Sequence, residues 1–226
     1  MQRSTIIVAG GSGKRLGGPV PKQFQSVNGR PILMWTIEAF HKYDEAMPII
    51  VVVPEAQIPI WKSLCLGHSF LVEHEVVAGG TERHHSVKNG LAVVKHNGLV
   101  AVHDGVRPLV TTELIGRCFQ AAEEHGAAIP VVPITSSIRD VDNSKGTSHP
   151  VDRSRLRAVQ TPQCFQVGLL RKAFELPYDP AFTDEATLVE RNGAAVNLVS
   201  GEEHNIKVTT PLDLQIAEVW LAEGGR

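Results

Sequence analysis

Cysteine is scarce in this 226-residue chain, and the three present, Cys65, Cys118 and Cys164, lie far apart with no C-x-x-C spacing. An odd, scattered set supplies neither a disulfide framework nor a structural zinc site. A chain of this length buries enough surface to fold without such staples. Excess charge of one sign is missing too: 22 Lys and Arg face 24 Asp and Glu, a net charge of -2. That excludes a basic field for duplex nucleic acid or an anionic membrane, so any bound anion has to be held locally. No apolar run approaches the ~20 residues of a membrane helix. The opening MQRSTIIVAGG passes from a short apolar stretch straight into glycines, without a signal-peptide core or cleavage pattern. The expectation is a soluble, cytoplasmic protein. Internal repeats and low-complexity tracts are absent as well.

What is present is an alternation of short β-branched runs with amphipathic stretches of helix length. The strand-like runs are Thr5–Ala9, Ile49–Val53, Leu71–Val77, Leu99–His103, Ala127–Val132 and Val196–Val199. Between them lie helix-like segments at Pro31–Tyr43, Glu55–Leu66, Glu82–His96, Thr112–His125, Val167–Leu176, Asp184–Asn192 and Pro211–Glu223. Strands as continuously apolar as Ile49–Val53 are buried on both faces, so the pattern predicts a Rossmann-like α/β fold with a doubly wound, mainly parallel sheet. One domain covers 1–226. Its rhythm breaks between Ile134 and Val159, where alternating segments flank the turn Asp142-Asn143-Ser144-Lys145-Gly146. This reads as an inserted β-hairpin arm, too small to stand alone and best covered by a second subunit.

The first strand leads into Ala9-Gly10-Gly11-Ser12-Gly13-Lys14-Arg15-Leu16-Gly17. Glycines after a strand let backbone N–H groups approach a phosphate chain, and nearby cations add charge. The dinucleotide fingerprint fails, because Leu16 stands where its third glycine belongs; the Walker pattern fails at Val8 and Arg15. Lys14, Arg15 and Lys22 lie within nine positions, which suits a triphosphate better than a plain turn.

The run AGGSGKRLG followed by Pro21-Lys22-Gln23 resembles the signature of the pyrophosphorylase-type nucleotidyltransferases, and most closely that of the methylerythritol phosphate cytidylyltransferases. Further motifs occur in the same order. Ala78-Gly79-Gly80-Thr81-Glu82-Arg83 with Ser86 corresponds to the stretch that holds cytosine in that family. His103-Asp104-Gly105-Val106-Arg107-Pro108 is similar to its H-D-A-A-R-P, with Gly105 and Val106 replacing two alanines. On the arm, Ser136-Ser137-Ile138-Arg139 stands where relatives have D-T-[IV]-K, and Val151-Asp152-Arg153 matches V-x-R. Thr161-Pro162-Gln163, Thr183-Asp184-Glu185-Ala186, Asn205-Ile206-Lys207-Val208-Thr209 and Asp213 complete the series. Taken alone, several of these are ordinary: Thr183 serves as a helix N-cap, Lys207 as a lysine ending a strand, Arg153 as a surface charge.

The resemblance implies CTP, a polyol phosphate and Mg²⁺ held mainly by the CTP phosphates. It implies Arg15, Lys22, Arg153 and Lys207 as catalytic residues, with Arg153 reaching the substrate phosphate of the partner in a homodimer. Ala9, Gly10, Gly11, Gly13, Lys14, Gly80, Thr81, Ser86, Asp104 and Gly105 would bind the nucleotide. Asp104, Arg107, Ser137, Thr161, Thr183, Arg153 and Lys207 would bind the second substrate. Attack by a phosphate oxygen on the α-phosphorus needs charge neutralisation and alignment more than a general base, which suits a chain with ten histidines but no evident His or Cys nucleophile. His84-His85 reads as a solvated pair pointing apart rather than a metal site. Ribitol-5-phosphate as acceptor, and a catalytically silent nucleotide-binding module, stay open as alternatives.

Overall fold

Every one of the five residues of Ile49–Val53 is buried, which a strand achieves only inside a sheet covered on both faces. That is the arrangement in the computed structural model, which describes residues 1–11 and 20–224. The first half of the chain forms β1 (Arg3–Val8), β2 (Ser26–Val27), β3 (Arg30–Pro31), α1 (Ile32–Tyr43), β4 (Ile49–Val53) and α2 (Ile58–Gly67). There follow β5 (Glu75–Ala78), α3 (Arg83–Ala92), β6 (Leu99–Asp104), α4 (Thr112–His125) and β7 (Ala127–Pro133). Next come β8 (Ile138–Asp142), β9 (Thr147–Val151), β10 (Arg157–Val159) and β11 (Gln163–Gln166). The chain ends with α5 (Val167–Ala173), α6 (Glu185–Arg191), β12 (Asn197–Ser200) and α7 (Pro211–Ala222).

β5, β4, β1 and β6 are neighbours in that order, all parallel. β11 then runs antiparallel between β6 and β7, and β12 pairs with β7 in parallel. Alternation along the strands feeds two cores. Ile7, Val51 and Val53 pack with α1, α4 and Trp61 of α2, whereas Ile6, Val52 and Val102 pack with α3, α5 and α6. Each such side chain contributes roughly 1.5–3 kcal/mol on burial. A smaller cluster, including Val106, Val208 and Ala217, seats α7 beside the sheet. The reciprocal Thr210–Asp213 cap opens α7: Asp213 Oδ2 accepts from the backbone N–H groups of Thr209 and Thr210, both at 2.8 Å. That cap pins the segment just after Lys207.

The α/β sheet matches expectation, with four corrections. The third strand begins at Glu75 instead of Leu71, because β4 offers partners only from Ile50↔Glu75 onward; Leu71 is 91% exposed. The antiparallel β11 has no counterpart among the strand-like runs, since four residues with Gln at both ends carry no strand signal. The arm is shorter than 134–159. Its hairpin is β8 and β9, paired only with each other among the described residues, whereas β10 finds partners along β7 in the main sheet. Asn205–Thr209 is loop rather than strand end, held by Val208 N–H donating to Val106 O at 2.9 Å.

Candidate active site

Ligands of open parallel sheets bind beyond the carboxyl ends of the strands. Here those ends border a cavity of about 340 Å³, lined by Ala9, Gly10 and Gly11 after β1, Lys22 and Gln23, Gly80 to Arg83 with Ser86 at the start of α3, and Asp104. Lys22 lies across the strand end: a Cβ on Gly11 would sit 2.6 Å from Lys22 Cε and 3.0 Å from its Nζ. At the opposite wall Gly80 approaches α3 so closely that a Cβ there would meet the Cβ of His85 at 2.3 Å. Ser86 Oγ accepts from Gly80 N–H and donates to Glu82 O, each at 3.1 Å, so the loop is tied down around a buried hydroxyl.

A second cavity of about 190 Å³ adjoins the first and includes Arg107, Thr161 and Thr183 among its walls. Arg83, Asp104 and Lys207 line both cavities. Asp104 is the centre of that shared wall. Lys207 Nζ lies 3.0 Å from its carboxylate, Arg107 Nε 3.4 Å and Arg83 Nε 3.6 Å. Burial alone would raise the Asp104 pKa, but Arg83, Lys207 and Arg107 outweigh burial and hold the carboxyl well below the usual carboxylate range. Arg83 is itself fixed through Nη1, which donates to both oxygens of the buried carboxylate of Glu185, at 2.6 and 2.8 Å. Four cations, Lys22, Arg83, Arg107 and Lys207, line the two cavities against the carboxylates of Glu82, Asp104 and Asp184, which gathers cationic side chains locally in a chain that is negative overall.

Not every expected residue meets here. Gly13, Lys14 and Arg15 lie outside the described residues. Ser137 and Arg153 are exposed on the arm and line neither cavity. The Arg153 guanidinium donates to the Thr135 carbonyl. Thr183 lines the second cavity, but the N-cap of α6 is Asp184, whose Oδ1 accepts from Thr187 N–H at 2.9 Å. His84 is not solvated: it is 8% exposed, its ring 4.7 Å from that of Phe174 and 5.1 Å from Tyr178, and the His85 ring stands edge-on at 5.3 Å. Gly105 explains the departure from two alanines, since a Cβ there would come within 3.0 Å of Ala9 Cβ and Leu33 Cδ1. Val106 takes up the volume on the other side, in the α7 cluster.

Sequence reasoning passes over Arg83, Glu185 and Asn205 as site residues. Arg83 stands within the Gly79-Gly80-Thr81-Glu82-Arg83 motif, the one available signal. Its partner Glu185 is 102 positions away. Asn205, fully buried, accepts Arg107 Nη1 on its carbonyl at 2.7 Å and donates from Nδ2 to Thr161 O at 2.9 Å.

Comparison with known proteins bears on this geometry. The family model described as 2-C-methyl-D-erythritol 4-phosphate cytidylyltransferase (IspD) matches residues 4–223. Curated relatives of that name are 51% identical in Bacteroides thetaiotaomicron, covering 98% of this chain and 100% of the relative, and 51% identical in Phocaeicola vulgatus, covering 97% and 99%. Among solved structures, 2-C-methyl-D-erythritol 4-phosphate cytidylyltransferase from Thermus thermophilus is similar at a TM-score of 0.78 and 34% identity, covering 99% of this chain and 100% of that one. The 4-diphosphocytidyl-2C-methyl-D-erythritol synthase from Anaerococcus prevotii superposes with a TM-score of 0.81 at 28% identity, covering 98% of both chains.

Proposed function

This chain belongs to the 2-C-methyl-D-erythritol 4-phosphate cytidylyltransferase family, and from that premise we propose how its residues join CTP to 2-C-methyl-D-erythritol 4-phosphate with release of pyrophosphate. The observation that carries the reading is the wall of Arg83, Asp104 and Lys207 common to two adjoining cavities. Two anionic substrates, one on each side, meet there without an intervening side chain that must act as nucleophile. The larger cavity suits CTP, its base against Gly80, Thr81 and Ser86 and its phosphates along Ala9 to Gly11, with Gly105 keeping the Asp104 turn close to that strand end. The smaller suits the polyol phosphate, with Arg107, Thr161 and Thr183 as its polar contacts.

A phosphate oxygen of the acceptor forms the new bond to the α-phosphorus as the bond to the bridging oxygen breaks, and pyrophosphate carries that oxygen away. The nucleophile is already an anion at neutral pH, so no proton need be removed. Lys22 and Lys207 stabilise the charge that grows on the α-phosphate oxygens and the leaving group. Lys207 waits on Asp104 at 3.0 Å, with its side chain 40% exposed, so an arriving phosphate exchanges one anion for another. By their place in the sequence motif, Gly13, Lys14 and Arg15 serve the β- and γ-phosphates.

Mg²⁺ is part of the proposal. Among the described residues there is no cluster of three or more potential metal ligands, and Asp104 is a lone carboxylate at the shared wall. One carboxylate plus phosphate oxygens and water is a donor set Mg²⁺ accepts. When bound, the ion would offset charge on the phosphates; Asp104 would face its water shell.

Arg153 and Ser137 enter through assembly. The β8–β9 arm is exposed on both strands, with Val141 at 56%, and a two-fold dimer in which each arm embraces the other subunit covers it and carries Arg153 to the partner's phosphate site. No helix among the described residues is long and apolar enough to cross a membrane, and the free cysteines suit a reducing cytoplasm. The testing experiment measures pyrophosphate release with each of the four NTPs against methylerythritol phosphate and ribitol 5-phosphate. CTP with methylerythritol phosphate should dominate, because polar groups matched to the cytosine amine are left unpaired by uracil. Comparable kcat/KM with UTP, or preference for ribitol 5-phosphate, would overturn the assignment.

A further inference from the structure

Beneath the shared wall, hydrogen bonds close a circuit through Thr161, His103, Arg107 and Asn205. The Thr161 hydroxyl lies 3.1 Å from Nδ1 of His103, and Nε2 of His103 lies 3.2 Å from the carbonyl oxygen of Arg107. Arg107 Nη1 donates to the Asn205 carbonyl at 2.7 Å, and Asn205 Nδ2 donates back to the Thr161 carbonyl at 2.9 Å. The proton positions follow from the partners. A carbonyl only accepts, so Nε2 of His103 carries the ring hydrogen. Nδ1 of the neutral ring then accepts from the Thr161 hydroxyl, whose oxygen accepts in turn from Asp104 N–H at 3.1 Å. The neutral ring is the form the site imposes, for His103 is 0% exposed and desolvation pushes its pKa down to about 3 despite its backbone partner. Phe40 holds the ring plane from the side, edge-on at 4.9 Å.

A buried imidazole at the end of an otherwise apolar strand is destabilising unless every polar atom is matched. Here both nitrogens are matched, and each match ends on a segment of the active site. We propose that His103 is a positioning residue for cytidylyl transfer: through the Thr161 hydroxyl, which accepts from Asp104 N–H while the Thr161 carbonyl accepts from Asn205 Nδ2, it fixes the Asp104 turn against the Asn205–Lys207 loop, and so sets Lys207 at the wall between the two cavities. The inference deepens the reading of that wall as the place of transfer and rests on it. His103 touches neither substrate; it acts through Thr161, and its bond to the Arg107 carbonyl fixes the tautomer.

The test compares His103→Asn with His103→Gln, because the two amides reach different halves of the ring. Asparagine places its oxygen near the Nδ1 position and keeps an acceptor for Thr161; glutamine places its nitrogen near Nε2 and keeps a donor for Arg107. Asparagine is also the smaller residue and leaves the larger void, so a merely structural role ranks Asn below Gln in both melting temperature and activity. Positioning through Thr161 gives the opposite order of turnover. His103→Gln should lose about 10- to 100-fold in kcat with the KM for CTP changed less than about threefold, and His103→Asn should keep kcat within about fivefold of wild type despite its lower melting temperature. Thr161→Val cuts the same link from the other end, so its loss and that of His103→Gln should be non-additive in the double variant. Turnover of the Gln variant equal to or above that of the Asn variant, or an additive double variant, would overturn the positioning role alone. A Thr161→Val protein with wild-type turnover would overturn the underlying reading of the wall, and this inference with it.

Discussion

Asp104 holds Lys207, Arg107 and Arg83 within 3.0, 3.4 and 3.6 Å, on a side chain only 9% exposed. Asp104→Asn keeps the shape and removes the charge, leaving three partly desolvated cations to repel one another. Removing one partner from a buried ion cluster typically costs about 3–5 kcal/mol. At roughly 2–4 °C per kcal/mol for a chain of this length, the melting temperature should fall by roughly 6–20 °C. Because the folded carboxyl is held below its unfolded value, its contribution is fully present above the unfolded carboxylate pKa and fades only as pH falls through the folded one. The deficit should therefore be constant between pH 6 and 8. Pyrophosphate supplies the missing negative charge, and a ligand of the native state stabilises by about 2.7 kcal/mol at a hundredfold its Kd. Thermal melts of both proteins at increasing pyrophosphate should show the gap narrowing as the anion saturates the variant. A drop of less than about 2 °C, or a gap that pyrophosphate leaves unchanged, would refute the claim that Asp104 balances a cationic anion site.

Lys22→Ala and Lys207→Ala should each lower turnover by about two to three orders of magnitude, while CTP binding measured calorimetrically changes far less; near-normal turnover removes that lysine from the mechanism. Inactive Arg153→Ala and Lys22→Ala proteins, mixed and allowed to exchange subunits, should recover activity toward half per mixed dimer, since one site then carries both lesions and the other neither. A monomer by light scattering, or a verified mixed dimer without activity, would place Arg153 outside the partner's site. His103 sets a pH signature for stability. With its pKa lowered from 6.5 to about 3 in the folded chain, the unfolded state binds the extra proton, so stability is complete above pH 6.5 and declines as pH falls toward 3. Urea unfolding should show wild type losing about 2 kcal/mol from this group between pH 7 and 5, and His103→Asn lacking that component; identical pH slopes for the two proteins would contradict the neutral buried ring.

The parts of this molecule written in periodicity are legible in the sequence. Ile49–Val53 announces a strand buried on both faces, and Thr112–His125 has the same bounds in sequence and structure. Short peptides with a fixed chemistry are legible as well: Lys22, Asp104 and Lys207, from three separate motifs, border one cavity. What escapes is pairing at a distance. Nothing local marks Glu185 as the partner of Arg83, or Asn205 as the clasp between Arg107 and Thr161. His103 reads in sequence as the last residue of a core strand and the first of the H-D-G-V-R-P motif, without a role of its own, because what it does depends on where Thr161 and Arg107 arrive. The end of the arm is hidden for the same reason: Arg157–Val159 has no strand pattern until β7 supplies the edge.

The central claim is direct transfer between substrates that meet at a single wall, with no covalent nucleotidyl-enzyme between them. Stereochemistry at the α-phosphorus tests it most directly. One diastereomer of the α-thio analogue of CTP, chiral at that phosphorus, is turned over with methylerythritol phosphate, and the configuration of the product is read by phosphorus NMR. A single in-line displacement inverts the centre, and inversion is the predicted result. Retention would require two displacements through an enzyme nucleophile, and would contradict the arrangement of Lys22, Asp104 and Lys207 described here as a site that aligns and neutralises without bonding to the nucleotide.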